Sequence, residues 1–318
     1  MLNADRSTLY ALRAPPVRVR RDAIRLGMLV YLNGRFLDSS EAAISAFDRG
    51  FIFGDGVYEV WRAVRGQLFE AARHQQRLER GLRELRITRP VDGTLERITA
   101  IGERLLKDNG LASGEATLYV EITRGSAPRT HYFPSSGTPP TMFAMASAFA
   151  PSETRFSGTK VITQPDVRWL RCDLKTVQLL PNVLARQVAM DAGASEAIFV
   201  RDGIITEGTH TTAFGVIDGV LRTHPANHLV LPGVTREIVI ESARSHGVEV
   251  REQAIRVDEL ARATELFLTG TTTDVTPVVS LDGRAVGGGA PGPIARMLLD
   301  RLLERMGVRA AAFATTRG

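Results

Sequence analysis

The chain has 318 residues, 44% of them apolar and 24% charged, and its formal net charge is +5. That composition and length fit one large globular domain or two ordinary ones and exclude a wholly disordered chain. No run of about 18 apolar residues is present to span a membrane, and the basic residues are scattered rather than gathered in blocks, which speaks against nucleic-acid binding, the remote alternative the net charge leaves open.

The start, MLNADRSTLYALRAPPVRVRRDAIRLG, is Arg-rich but lacks an apolar core, so it makes a poor secretory signal. Residues 1–27 are read as an N-terminal extension, expected to be disordered, ahead of a folded part that begins near Met28. LVYLNGRFL then reads as a hairpin about Asn33-Gly34. Val57 to Val64 alternates as a strand and turns at Arg65-Gly66. From Ala71 to Arg86 the period lengthens, with Leu78, Leu82 and Leu85 on one helical face. A second helix runs through Leu95, Ile98, Ile101 and Leu105, followed by the strands ATLYVEITR and TMFAMASAF. The polar, Pro/Gly-marked stretch Ala150 to Gly158 is assigned as an interdomain linker. Beyond it come a helix at Pro181 to Ala192 and hairpins about Asp202-Gly203 and Asp218-Gly219. Helices at Thr235 to Ser245 and Val257 to Ala263, the strand ELFLT, the hairpin VVSLDGRAV and a last helix at Pro293 to Glu304 complete the chain. The pattern predicts an α/β (α+β) protein of two domains, residues 28–149 and 159–318, joined by linker 150–158.

The chain has lysine only at positions 107, 160 and 175, and every other basic side chain is Arg. Arg stays protonated and cannot act as an amine nucleophile, so Lys107, Lys160 and Lys175 are the only candidates for such chemistry. Lys107 precedes Asp108-Asn109-Gly110 at a helix end, Lys160 opens a strand, and Lys175 sits in RWLRCDLKTVQLLP among apolar neighbours. A solvated surface lysine and a buried nucleophile are both open for Lys175. In LPGVTREIVIESA, Gly233 and the N-cap candidate Thr235 make either an ordinary helix start or an anion site. Gly270-Thr271-Thr272-Thr273-Asp274 after ELFLT adds hydroxyls that suit a phosphate or an ordinary turn. Arg77, with no acidic partner evident, is a surface residue or a phosphate clamp. Glu207 in IITEGTH is a turn acid or the partner of a ring nitrogen. Arg129 and His131 in APRTHYFP are a pair suited to a carboxylate. No metal-ligand spacing, GxSxG or Walker loop is present. The single Cys172 allows no internal disulfide and fits a reducing cytoplasm.

Taken in order, RGFIFGDGVYEV, HQQRL, TRGSAPRTHYFP, RWLRCDLKT, TEGTHTTAFGV, THPANHLVLPGVTR and ELFLTGTTTDVTPV resemble the fold-type IV pyridoxal 5'-phosphate (PLP) enzymes. These are the class IV aminotransferases and their lyase relatives, and the resemblance runs from about Val30 to the last helix. It is nearest to the D-amino-acid aminotransferase branch, through Tyr58 in VYEV and the Arg129-x-His131 pair. The resemblance implies a small N-terminal α/β domain and a larger C-terminal domain with PLP at their interface. It implies that Lys175 holds the cofactor covalently, that Glu207 pairs with its ring nitrogen, and that Arg77, Val234, Thr235 and Thr271 hold its phosphate. Tyr58, Arg129 and His131 would bind the substrate carboxylate, with the Arg129 loop reaching a neighbouring subunit in a homodimer. The implied reaction is ping-pong transamination of D-amino acids such as D-alanine with a 2-oxo acid such as 2-oxoglutarate. L-branched-chain aminotransferase and aminodeoxychorismate lyase are the alternatives on the same fold. The chain departs from the branch at Thr209-His210-Thr211-Thr212-Ala213, where a serine-rich stretch with an Asn is expected.

Overall fold

A computed structural model describes residues 27–308. Residues 1–26, nearly all of the expected N-terminal extension, lie outside the described residues. The first sheet contains β1 (Leu29–Leu32), β2 (Arg35–Asp38), β3 (Gly56–Val64), β4 (Gln67–Leu68), β5 (Glu115–Thr123) and β6 (Thr141–Ala148). They pair antiparallel in the order β2-β1-β6-β5-β3-β4. The second contains β7 (Thr159–Pro165), β8 (Glu196–Arg201), β9 (Ile204–Gly208), β10 (Thr212–Ile217), β11 (Val220–Thr223), β12 (Val250–Glu252), β13 (Ile255–Arg256), β14 (Ala263–Gly270), β15 (Asp274–Leu281) and β16 (Arg284–Ala285). Its order is β12-β11-β10-β14-β15-β7-β8-β9-β13, with β16 on β15, and β7 runs parallel to both of its neighbours.

The hairpins have a common cause. Asn33-Gly34, Asp202-Gly203, Asp218-Gly219 and Asp282-Gly283 all hold both central residues at positive φ, the primed turn whose twist matches that of the flanking strands. Helices α1 (Arg49–Phe53), α2 (Ala71–Glu84) and α3 (Leu95–Asp108) accompany the first sheet. On α2 the buried Leu78 and Leu82, and on α3 the buried Ile98, Ile101 and Leu105, repeat every three or four residues and pack on Trp61, Leu118 and Ile122. Thr94 caps α3 by accepting from Arg97 N. Helices α4 (Thr154–Ser157), α5 (Leu180–Asp191), α6 (Val234–Ser245) and α7 (Pro293–Arg305) follow. Phe214 and Phe267 stack 5.1 Å apart in the core that α6 and α7 cover.

Two expectations change, and one element is new. The segment expected as a linker carries the single turn α4. Val257 to Ala263, expected as a helix, is a 3-10 stretch at Val257–Arg262 with no buried residue, so no apolar face holds a longer α-helix there. Helix α1 leaves no periodic signal in the sequence because five residues are too few to show one; it is set by Asp48, whose carboxylate accepts from Gly50 N.

Candidate active site

A cavity of about 830 Å³ opens where the two sheets meet. The stretch carrying Lys175 leaves the second sheet and lies along β3 of the first. Tyr58 N donates to Lys175 O at 3.0 Å, and Val177 N donates to Gly56 O at 3.2 Å. These bonds place Lys175 Nζ 4.1 Å from the centre of the Tyr58 ring, inside the cavity. No described carboxylate forms an ion pair with this amine. Lys107 and Lys160 are exposed and line no part of the cavity.

Glu207, near the end of β9, is buried at the cavity wall. Arg168 Nη1 donates to its Oε1 and Leu231 N donates to Oε2 at 3.0 Å. Burial pushes this carboxyl up to about 7, although the Arg168 guanidinium pulls the other way. Asp166 accepts from Arg168 Nε and Nη2, both at 2.9 Å, and from Arg201 Nη2 at 3.1 Å. Burial opposes ionisation there too, but these donors and Thr206 hold Asp166 at about 2. Arg168 is therefore shared between the two acids, and Asp166 has Arg201 and Thr206 as well.

In the same cavity, α6 begins at Val234 with Gly233 as its N-cap and no side-chain cap. Thr235, expected as the N-cap, is instead the second helical residue. The first N–H groups of a helix have no acceptor within it; here they open into the cavity with the helix dipole behind them. Thr271 and Thr272, in the turn between β14 and β15, line the same end. Thr269 Oγ1 is buried in this wall without a hydrogen-bond partner.

Arg77 has an acidic partner after all. Its Nε and Nη2 hold both oxygens of Glu59 at 2.9 and 2.8 Å, and its Nη1 donates to Pro232 O at 3.0 Å. Glu59 is fully buried and also meets His74 Nδ1 at 3.0 Å; despite burial, Arg77 and His74 hold it well below the usual carboxylate range. The sequence hid this pair because Glu59 and Arg77 lie on different elements. Arg77 is thereby locked beside the start of α6 with two of its five N–H groups unused.

Tyr58 lines the cavity; Arg129 and His131 do not. Both lie on an exposed loop and touch it only through Phe53, whose ring is 5.7 Å from the His131 ring and 5.4 Å from the Arg129 guanidinium. The divergent loop after Glu207 lines the cavity and is fastened from its far side: His210 Nδ1 lies 2.9 Å from the buried Glu196, which also accepts from Thr209. Cys172 is inert here, since burial pushes its thiol up to about 11.

The site residues that sequence reasoning missed are Arg168, Glu59 and His74. Arg168 stands within RWLRCDLKT, seven residues before the lysine, but nothing local shows that it reaches Glu207.

The family model for amino-transferase class IV matches residues 56–281. The chain is 39% identical over 274 residues to the D-alanine aminotransferase of Bacillus licheniformis, covering 85% of this chain and 94% of that one. It is 38% identical over 270 residues to the D-alanine aminotransferase of Staphylococcus haemolyticus, with the same coverage. Among solved structures it is similar to the branched-chain aminotransferase of Thermoproteus uzoniensis with norvaline. The TM-score is 0.77 at 26% identity, over 89% of this chain and 96% of that one.

Proposed function

The chain belongs to the class IV aminotransferases, which are PLP enzymes, and from that membership we propose that it transfers amino groups between D-amino acids such as D-alanine and a 2-oxo acid such as 2-oxoglutarate. The observation that carries the reading is Lys175, an amine with no carboxylate partner among the described residues, held in a cavity between a buried acid and an open helix N-terminus. The D preference rests on the two D-alanine aminotransferases at 38% and 39% identity. Branched-chain L-amino acids remain the second reading, favoured by the structural likeness alone.

The residues present fit PLP. The open N–H groups of Val234 and Thr235, the Thr271 hydroxyl and the spare donors of Arg77 form a cradle for a dianionic phosphate. The unpartnered Thr269 Oγ1 lies in the same wall. When bound, the cofactor supplies an aldehyde carbon that accepts amines and a ring that withdraws electrons. Lys175 would hold it covalently through Nζ. With the substrate amine in its place, Lys175 Nζ would be free to take the substrate's Cα proton and return it, working from one face only. Glu207 would pair with the ring nitrogen. Each of its oxygens keeps a lone pair beyond those occupied by Arg168 and Leu231, so it can accept the ring N–H and favour the protonated ring. Tyr58, beside Lys175, orients the substrate carboxylate.

Arg129 and His131 bind that carboxylate from the neighbouring subunit of a homodimer. This reading is supported by their exposed loop and by exposed apolar side chains nearby in sequence or on α5, among them Phe51, Tyr132, Leu180, Val183 and Leu184. The single cysteine fits a cytoplasmic setting.

Borohydride reduction of the purified holoenzyme followed by peptide mapping is expected to label Lys175; label on Lys107 or Lys160 overturns the assignment. Absorption spectra after D-alanine and then L-leucine separate the two substrate readings. Conversion by D-alanine is expected, and conversion by L-leucine alone would favour the branched-chain reading.

A further inference from the structure

Four charged side chains are gathered where the two sheets meet, and none lines the cavity. Arg62, on β3, is fully buried. Its Nε donates to Glu115 Oε2 at 2.7 Å, its Nη2 to the same oxygen, and its Nη1 to Asp274 Oδ1 at 2.6 Å. The other oxygen of Asp274 accepts from Arg155 Nη1 at 2.8 Å. Two cations thus meet two anions, the balanced arrangement that buried charge requires. The four come from three parts of the chain. Arg62 and Glu115 belong to the first sheet, Asp274 to the second, and Arg155 to α4 between them.

Asp274 also ends the turn that carries Thr271 and Thr272. Gly270 and Asp274 are register partners across it, and Thr273 N donates to Gly270 O at 3.1 Å. Arg62 Nη1 approaches Thr271 O at 3.5 Å, so the same guanidinium touches both Asp274 and the backbone of the turn. Asp274 itself stands at φ +56, in the left-handed region. That conformation is disfavoured for a non-glycine residue, less so for Asp or Asn, and persists where the surroundings over-determine it. Here the surroundings are two arginines on one carboxylate.

We propose that Asp274 is a positioning residue for the cofactor phosphate: it ties the Thr271–Thr272 turn to the first sheet through Arg62 and to the joining segment through Arg155, fixing the turn's hydroxyls before the phosphate arrives. The proposal rests on the cofactor reading of the cavity. A cluster that only stabilised the fold would weaken every ligand alike. A positioning role falls on the phosphate.

The test compares PLP with pyridoxal, which lacks the phosphate, in titrations of the full-length chain freed of cofactor. Asp274→Asn keeps the shape and the tolerance for a left-handed backbone but removes the charge. It is expected to raise the dissociation constant for PLP about tenfold and that for pyridoxal less than about threefold, as loss of a preorganised charge-assisted contact would do. Arg155→Met, farther from the turn, is expected to act in the same direction by a smaller factor, and it carries the comparison if Asp274→Asn does not fold. Equal weakening of both ligands, or no weakening of PLP, overturns the positioning role. If the wild-type chain binds PLP no tighter than pyridoxal, the phosphate reading of the cavity fails as well. If the wild type prefers PLP and both variants keep that preference, only the role of Asp274 falls.

Discussion

Glu207 and Asp166 share one arginine and come out of it differently. Arg168 gives Asp166 two donors and Glu207 one, and Asp166 also accepts from Arg201 and Thr206; burial prevails at Glu207, whose carboxyl rises to about 7, and loses at Asp166, held at about 2. A carboxyl whose pKa is raised on folding stabilises the fold fully below its unfolded value and loses that contribution as the pH climbs through its folded value. For Glu207 the window runs from about 4.5 to about 7. Without cofactor, wild-type stability in denaturant should thus fall relative to Glu207→Gln across that window, and parallel curves would show that the carboxyl is not held neutral. With cofactor, Glu207→Gln is expected to keep PLP bound through Lys175 and the phosphate cradle yet lose turnover about a hundredfold, the scale seen when a preorganised electrostatic partner is removed. Unchanged turnover would reduce Glu207 to a structural acid.

At the scale of elements, the loop bearing Arg129 and His131 is tied to α1 and to the residue that follows β5. Arg49 Nη1 donates to Thr130 O at 2.8 Å, and the Arg124 guanidinium lies 3.8 Å from the centre of the Phe133 ring. Gly125 starts this loop at φ +86, and a Cβ there would meet Pro139 O at 2.0 Å, a backbone atom that cannot swing aside. Gly125→Ala is therefore expected to cost more than about 1 kcal/mol of stability and to raise the Michaelis constant for D-alanine, because the loop must shift. A thermal melt and steady-state kinetics check both; an unaltered constant would separate the loop from substrate binding. Helix α6 shows a different dependence. The sequence left its start open between an ordinary helix start and an anion site, and the structure adds that its first turn lines the cavity.

For the whole molecule, α5 exposes Leu180, Val183 and Leu184 at 68%, 59% and 60%, a cluster of apolar surface unusual on a monomer. Leu184→Glu is expected to leave the fold intact and to shift sedimentation from dimer toward monomer. If the Arg129 loop serves a partner's cavity, the D-alanine rate falls in step with the dimer fraction. A Leu184→Glu protein that sediments as the wild type does would remove α5 from the interface.

The sequence by itself determined the hairpins, because a primed turn is written in adjacent Asn-Gly or Asp-Gly pairs, and the main helices, because their buried faces repeat every three or four residues. It also narrowed amine chemistry to three lysines and, through ordered motifs, pointed to Lys175, Glu207 and the start of α6. Only the tertiary structure decided what each charged group faces. Arg77 meets Glu59 from another element, Arg168 reaches Glu207 across 39 residues, and Arg62 finds Asp274 on the other sheet, 212 residues away. Local pattern records propensity and period, which act over a few residues. Ion pairing and burial depend on distance in space, and chain order carries no measure of that until the two sheets have closed around the cavity.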